Sequence, residues 1–127
     1  MRIHLNLYAA VLTSVLVVAA VLPCVSHANF WDGYKLKEWA DADARTERAQ
    51  SSPTDYQGAA YLVGFVTGIS DAWNGILICL PSGVKAGQLT AMVKKYLFAN
   101  PEKWNQAASL LVMEALVPTF PCKKKKK

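Results

Sequence analysis

The side chains able to do chemistry are few in this 127-residue chain. Its two histidines, His4 and His27, and one of its three cysteines, Cys24, lie within the first 28 residues. From Asn29 onward no imidazole is available for general acid–base work. Cys79 and Cys122 without histidine make a poor metal set, and they stand too far apart for a C-x-x-C redox centre. Ser70-Asp71 and Ser109 have no evident base. Asp41 and Asp43 are two apart, so on a helix they face different directions and read as a solvated face. Gly58, Gly64 and Gly68 fall inside a predicted helix, not before one, so they do not form a phosphate loop. Asp71 is the one polar residue set among apolar neighbours, close to Trp73. It is expected to be a partly buried acid bonded to a neighbouring helix end, with direct contact to a partner as the sharper alternative. The chain is therefore not expected to be an enzyme, and neither a cofactor nor a metal is implied.

The first 28 residues have their own logic. Arg2 precedes an apolar run over 8–22, Pro23 breaks it, and Ser26-His27-Ala28 sets small residues at −3 and −1. This is the layout of a secretory signal peptide cleaved between Ala28 and Asn29. The competing readings are an uncleaved membrane anchor, for which the run is short, and a lipoprotein that begins at Cys24, for which Val21-Leu22-Pro23 is a poor lead. Cleavage would remove 28 of 127 residues and leave 99, enough for one domain with a modest core. The expected location is the periplasm.

Charge is split in the same way. Between Asn29 and Cys122 there are eight Lys/Arg and nine Asp/Glu, a net charge of −1. The net basicity beyond the signal peptide sits in the last five residues, all lysine, so the pI near 9.2 describes a tail on a nearly neutral domain. Residues 123–127 are expected to be a disordered, solubilising end. Weak, salt-sensitive contact with an anionic surface is the alternative, on the order of 1 kcal/mol per lysine. Nucleic acid is not an expected partner outside the cytoplasm.

Between these ends the periodicity is helical, with no sustained strand-type alternation. A first helix is predicted over 31–45, followed by a polar link over 46–52. Ser52-Pro53-Thr54-Asp55 then provides a capping serine, proline at the first helical position and an acid at the third. The helix it opens should run to about Gly75, with Ala59, Leu62, Val63, Val66, Ile69, Trp73 and Ile76 as its apolar stripe. Ala60, Gly64 and Gly68, four apart, suggest a close helix crossing inside the domain. Pro81-Ser82-Gly83 reads as a turn. A third helix is predicted over 86–99, with Lys94 and Lys95 pointing away from the core. A last helix over 105–117 carries Ala108, Leu111, Val112, Ala115 and Leu116 at amphipathic spacing. The expectation is an all-α single domain over 29–122, with four to five packed helices.

Cys79 and Cys122 remain as an even pair in an exported chain, and in an oxidising compartment they are expected to be joined. The loop so closed, about 43 residues, is worth about 4 kcal/mol by chain entropy. A reactive thiol or a metal ligand is the alternative. Of the four tryptophans, Trp31 and Trp104 lie near helix starts beside polar residues. They are candidate partner-binding residues together with Asp71, since tryptophan is enriched at interface hot spots.

The ordered motifs also resemble a known family. Residues 61–72 (YLVGFVTGISDA) resemble a GY-x-x-G-x-x-DA motif, and Cys79-Leu80-Pro81-Ser82-Gly83-Val84 resembles C-[IL]-P-x-G-V. Gly87-Gln88-Leu89, Val93, Lys95-Tyr96-Leu97, Asn100-Pro101, Ala107-Ala108, Ala115-Leu116 and Phe120-Pro121-Cys122 follow in order. Over residues 34–122 the set is similar to the Rap/Tai family, typified by immunity proteins of bacterial type VI secretion. The resemblance implies an exported, all-helical, disulfide-bonded protein that binds and blocks a cell-wall-cleaving effector, typically a peptidoglycan amidase. Some relatives are dimers, so a homodimer is possible. Many relatives carry a second cysteine pair, whose positions here are expected to be Ala40 and Ala60. Without that bridge the first helix should be held by packing alone, with Trp39 as its anchor. A general envelope-stress or chaperone-like helical protein is the alternative function.

Overall fold

The computed structural model describes residues 30–122. The predicted signal peptide, the Ala28/Asn29 cleavage site, Cys24 and the lysine run lie outside them. Among the described residues there are four α-helices and no strand: α1 (Gly33–Glu47), α2 (Pro53–Trp73), α3 (Ala86–Ala99) and α4 (Ala108–Leu116), with a 3-10 turn at Pro101–Lys103. None of these helices is long and apolar enough to cross a membrane.

Helix α1 starts two residues later than its periodicity suggests because Asp32 caps it. The Asp32 carboxylate accepts from the Lys35 N–H at 2.9 Å, satisfying one of the orphan donors of the first turn. The start is also fastened to the entry of α4. The Gly33 and Tyr34 amides donate to the carbonyls of Gln106 (2.9 Å) and Trp104 (3.0 Å), and the Ala108 amide donates to that of Trp31 (3.0 Å). Gln106 and Ala107, which bridges to Asp32, are used in this cross-fastening, so α4 is shorter than the predicted 105–117.

Gly33 is indispensable at that junction. A Cβ there would lie 2.5 Å from Leu111 Cδ1 and 2.6 Å from the Trp104 backbone. Gly33→Ala is therefore expected to cost about 1–3 kcal/mol. Gly64→Ala, where a Cβ meets nothing within 4 Å, should be neutral or stabilising by up to about 1 kcal/mol from helix propensity. Urea midpoints of the two variants check the contrast.

The start of α2 follows its sequence signature. The Ser52 N–H and hydroxyl both donate to Asp55 Oδ2 at 2.8 Å. The other carboxylate oxygen accepts from Arg45 Nε at 2.9 Å and Nη2 at 2.5 Å. Arg45 lies in the last turn of α1, so this ion pair closes the α1–α2 hairpin across its link. The Arg45 hydrogen bond, aided by Ser52, holds the Asp55 carboxyl well below the usual carboxylate range. A depressed folded-state value stabilises the fold above the unfolded value, near 3.9, and that contribution is lost as pH falls below it. Asp55→Asn should therefore lower the melting temperature at pH 7, and the gap to the parent protein should narrow steadily as pH falls below about 4. Thermal unfolding across that range tests it.

The buried face of α2 is rotated from the expected stripe. Gly58, Leu62, Val66 and Ser70 face the core, and Ser70 satisfies its hydroxyl on the Val66 carbonyl at 2.7 Å. Trp73 and Ile76 are exposed, and Ile78 is buried in their place. The Ala60, Gly64, Gly68 row is exposed, so it is not a helix crossing within the domain. In α3, Leu89, Val93 and Leu97 point inward as expected. Lys94 does not point away. Its ammonium pairs with Asp43 at 2.5 Å and Glu47 at 2.7 Å, which ties α3 to α1 and takes Asp43 out of the solvated face. Burial pulls the Lys94 value down, but the bonds to Asp43 and Glu47 outweigh it and the net shift is upward.

The core is one cluster centred on Leu36, Leu62, Val66, Val93, Leu111 and Leu116. Cys79 and Cys122 are joined, as expected, with Cα atoms 4.9 Å apart. The bridge pins the chain after α4 to the turn after α2.

Candidate functional site

Among the described residues, two exposed apolar surfaces lie close to the predicted contact residues: a concave groove and an outward-facing turn. The concave one follows from the hairpin. Ala42 faces Gly58, while Trp39, nearer the start of α1, faces Tyr61 and Phe65, so the two helices run antiparallel. Trp39 also meets Trp31 edge-on, with centroids 5.4 Å apart. Beside this aromatic stack lies an open groove of about 650 Å³, walled by Trp31, Lys35 and Glu38 on one side and by Tyr61, Gly64 and Phe65 on the other. Gly64 leaves its floor without a side chain. Trp31 and Tyr61 are 47% and 53% exposed. The rim carries few polar groups, and they pair with each other: Lys35 donates to Glu38 at 2.5 Å and Gln57 to the Tyr61 hydroxyl at 3.2 Å.

The second surface is the turn that follows α2. Gly75 takes φ +81°, a left-handed conformation that a residue without Cβ adopts freely. Its amide donates to the Ile78 carbonyl at 2.7 Å, and the Leu80 amide donates to Asn74 Oδ1 at 3.1 Å. Fully buried Ile78 and the Cys79 bridge anchor the turn from below. Ile76 and Leu77 stand outward at 64% and 49% exposure, with Trp73 exposed beside them.

The predicted partner-binding residues are not gathered at one place. Trp31 lines the groove. Asp71 lies on the last turn of α2, two residues before Trp73; it is exposed and its carboxylate makes no hydrogen bond or ion pair among the described residues. The expected buried acid is thus a free surface acid next to the apolar turn. Trp104 is occupied by the fold. Its Nε1 donates to the Leu97 carbonyl at 2.9 Å, its ring meets Tyr34 edge-on at 6.0 Å, and Lys37 Nζ lies 5.1 Å over it. Ala40 is wholly buried, and Ala60 is exposed on the groove side. Sequence reasoning does not single out Tyr61, Phe65 or Leu77 as contact residues, and it assigns Ile76 to the apolar stripe of α2. The signal for the first two was aromatic residues flanking a row of small ones on a single helix.

Beyond the Arg45–Asp55 and Lys94–Asp43–Glu47 ties, a third cluster of linked titratable groups joins α3, the 3-10 turn and α4. The Tyr96 hydroxyl donates to Glu114 at 2.5 Å, and Lys103 Nζ donates to both, at 2.7 and 2.9 Å. Burial and the bond to Glu114 push Tyr96 up; the bond to Glu114 raises Lys103; the bond to Lys103 lowers Glu114. At neutral pH the tyrosine keeps its proton and the ion pair stays charged. The cluster therefore fastens helices and offers no poised base. No group of three or more metal-ligating side chains occurs among the described residues. What these surfaces can do is bind, by apolar and aromatic contact.

Comparison with known proteins agrees in kind. A family model described as Rap1a immunity proteins matches residues 32–122. A comparison with curated proteins finds no match.

Proposed function

Because the chain belongs to the family of Rap1a immunity proteins, we propose that it is an exported, non-catalytic protein that neutralises an injected cell-wall-degrading effector, of the peptidoglycan amidase type, delivered by type VI secretion. Family membership implies action by binding a protein effector; the export, the delivery route and the amidase chemistry are this proposal's own. The observation that carries the contact surface is the anchored apolar turn of Ile76 and Leu77. Blocking an enzyme cleft needs an outward-standing element that keeps its shape, because ordering a mobile loop on binding costs affinity. In this turn Ile76 and Leu77 stand outward, and it is held by buried Ile78 and its own backbone bonds. Asp71, free at its edge, adds a charged contact, and Trp31 in the groove is a secondary contact. Trp104 supports the fold.

The test begins with co-purification of the tagged protein from its host at low and high salt. A stoichiometric cell-wall hydrolase that survives high salt supports the proposal; a scatter of weak clients favours the chaperone-like alternative. With the hydrolase in hand, Leu77→Asp should weaken binding by calorimetry at least tenfold, about 1.4 kcal/mol, without lowering the melting temperature. Full affinity in Leu77→Asp together with loss in Trp31→Ala would move the contact to the groove.

A further inference from the structure

We propose that the Cys79–Cys122 bridge is a reducible latch whose opening releases residues 118–122 while leaving the apolar turn folded. The two sides of the bridge are held unequally. On the turn side, Ile78 is wholly buried, the Gly75 amide bonds the Ile78 carbonyl, and the amides of Ile76 and Leu77 both reach the Trp73 carbonyl at 3.1 Å. These contacts do not involve the bridge. On the other side, residues 118–122 lie beyond α4. A local turn onto the Leu116 carbonyl holds Thr119 and Phe120 (3.1 and 3.0 Å), and the segment meets the body through a single antiparallel bridge of Pro121 with Ile78, where the Cys79 amide donates to the Phe120 carbonyl at 2.8 Å. Pro118 and Pro121 have no amide to add.

Access is unequal as well. Cys79 is exposed and Cys122 half-buried, so an incoming thiolate reaches Cys79 Sγ first. A small dithiol reductant attacks Cys79 Sγ, forms a mixed disulfide and expels the Cys122 thiolate, which takes up a proton. Its second thiol then attacks its own bonded sulfur, expels the Cys79 thiolate and leaves as a cyclic disulfide. Two electrons and two protons pass to the protein. The free segment carries Phe120 off its partly buried seat and uncovers the underside of the turn. The proposal rests on the bridge geometry and not on the effector reading. If that reading also holds, the latch would stay open in a reducing compartment and close after export.

Amide exchange by nuclear magnetic resonance on the protein purified from its host, with and without dithiothreitol, tests the latch. Reduction should speed exchange at Cys79, Thr119 and Phe120 by at least about 100-fold. The Gly75 amide should keep at least about tenfold more protection than Cys79 in the reduced protein. Cys122→Ser should reproduce the pattern without reductant; if that variant does not fold, the reduced parent protein still gives the reading. Unchanged protection at Cys79 and Phe120 would overturn the latch, and so would loss of protection at Gly75 in step with Cys79. No effector enters the measurement, so its failure is separate from failure of the immunity reading.

Discussion

Trp39→Ala is expected to lower the unfolding free energy by about 3–5 kcal/mol, the range for truncating a buried tryptophan. Trp39 is 7% exposed and sits where α1 meets α2, with Trp31, Tyr61 and Phe65 around its ring at centroid distances of 5.4–5.8 Å. The loss has two parts: the transfer of the indole to water, and the cavity left against groups that relax poorly. Relaxation is limited here because Gly58 and Ala42 are already in contact and have no further atoms to fill the space. Aromatic pairs add about 0.5–1.5 kcal/mol beyond area burial, so Trp39→Phe should recover part of the loss. That is a large fraction of the 5–15 kcal/mol typical of a whole domain. Urea unfolding at pH 7, followed by circular dichroism, gives the value. A loss under about 1 kcal/mol would mean that α1 is held mainly by its cross-fastened start at Gly33 and by Lys94.

What was legible before the fold and what was not separate along one physical line. Local signals read well. Ser52, Pro53 and Asp55 mark the start of α2 because a capping box is made within four residues. The inward stripe of α3 is a property of one helix, and the Cys79–Cys122 pairing was legible from the cysteine count beyond the predicted signal peptide. The misread features depend on partners far along the chain. Lys94 reads as an outward lysine until α1 supplies Asp43 and Glu47. Gly33 looks like any glycine until Trp104 and Leu111 arrive over it. The row Ala60, Gly64, Gly68 has the spacing of a close helix crossing, and spacing cannot say whether a second helix is present. In this domain α1 packs on the neighbouring face through Gly58 and Leu62, and the row is left bordering the groove. Asp71 reads as a partly buried acid from its apolar neighbours in sequence, but the rotation of α2 turns it outward.

Replacing both bridge cysteines, Cys79→Ala with Cys122→Ala, is expected to cost about 4 kcal/mol at 25 °C. The argument concerns the unfolded chain. A cross-link between residues 43 apart removes loop-closure entropy from the denatured ensemble, and that entropy returns when the link is cut. For a domain of this size each kcal/mol moves the melting temperature by roughly 4–8 °C, so the midpoint should fall by roughly 15–30 °C. The native helices should survive the change, because the buried cluster draws on all four of them and on Ile78, and it includes neither cysteine. The m-value supplies an independent check. An uncross-linked denatured chain exposes more surface, so the urea dependence should steepen as the midpoint falls. A lower midpoint at unchanged slope would place the loss in the native state, in the contacts of Phe120 and the turn. A midpoint within a few degrees of the parent protein would mean that the denatured chain already keeps residues 79 and 122 close without the bond.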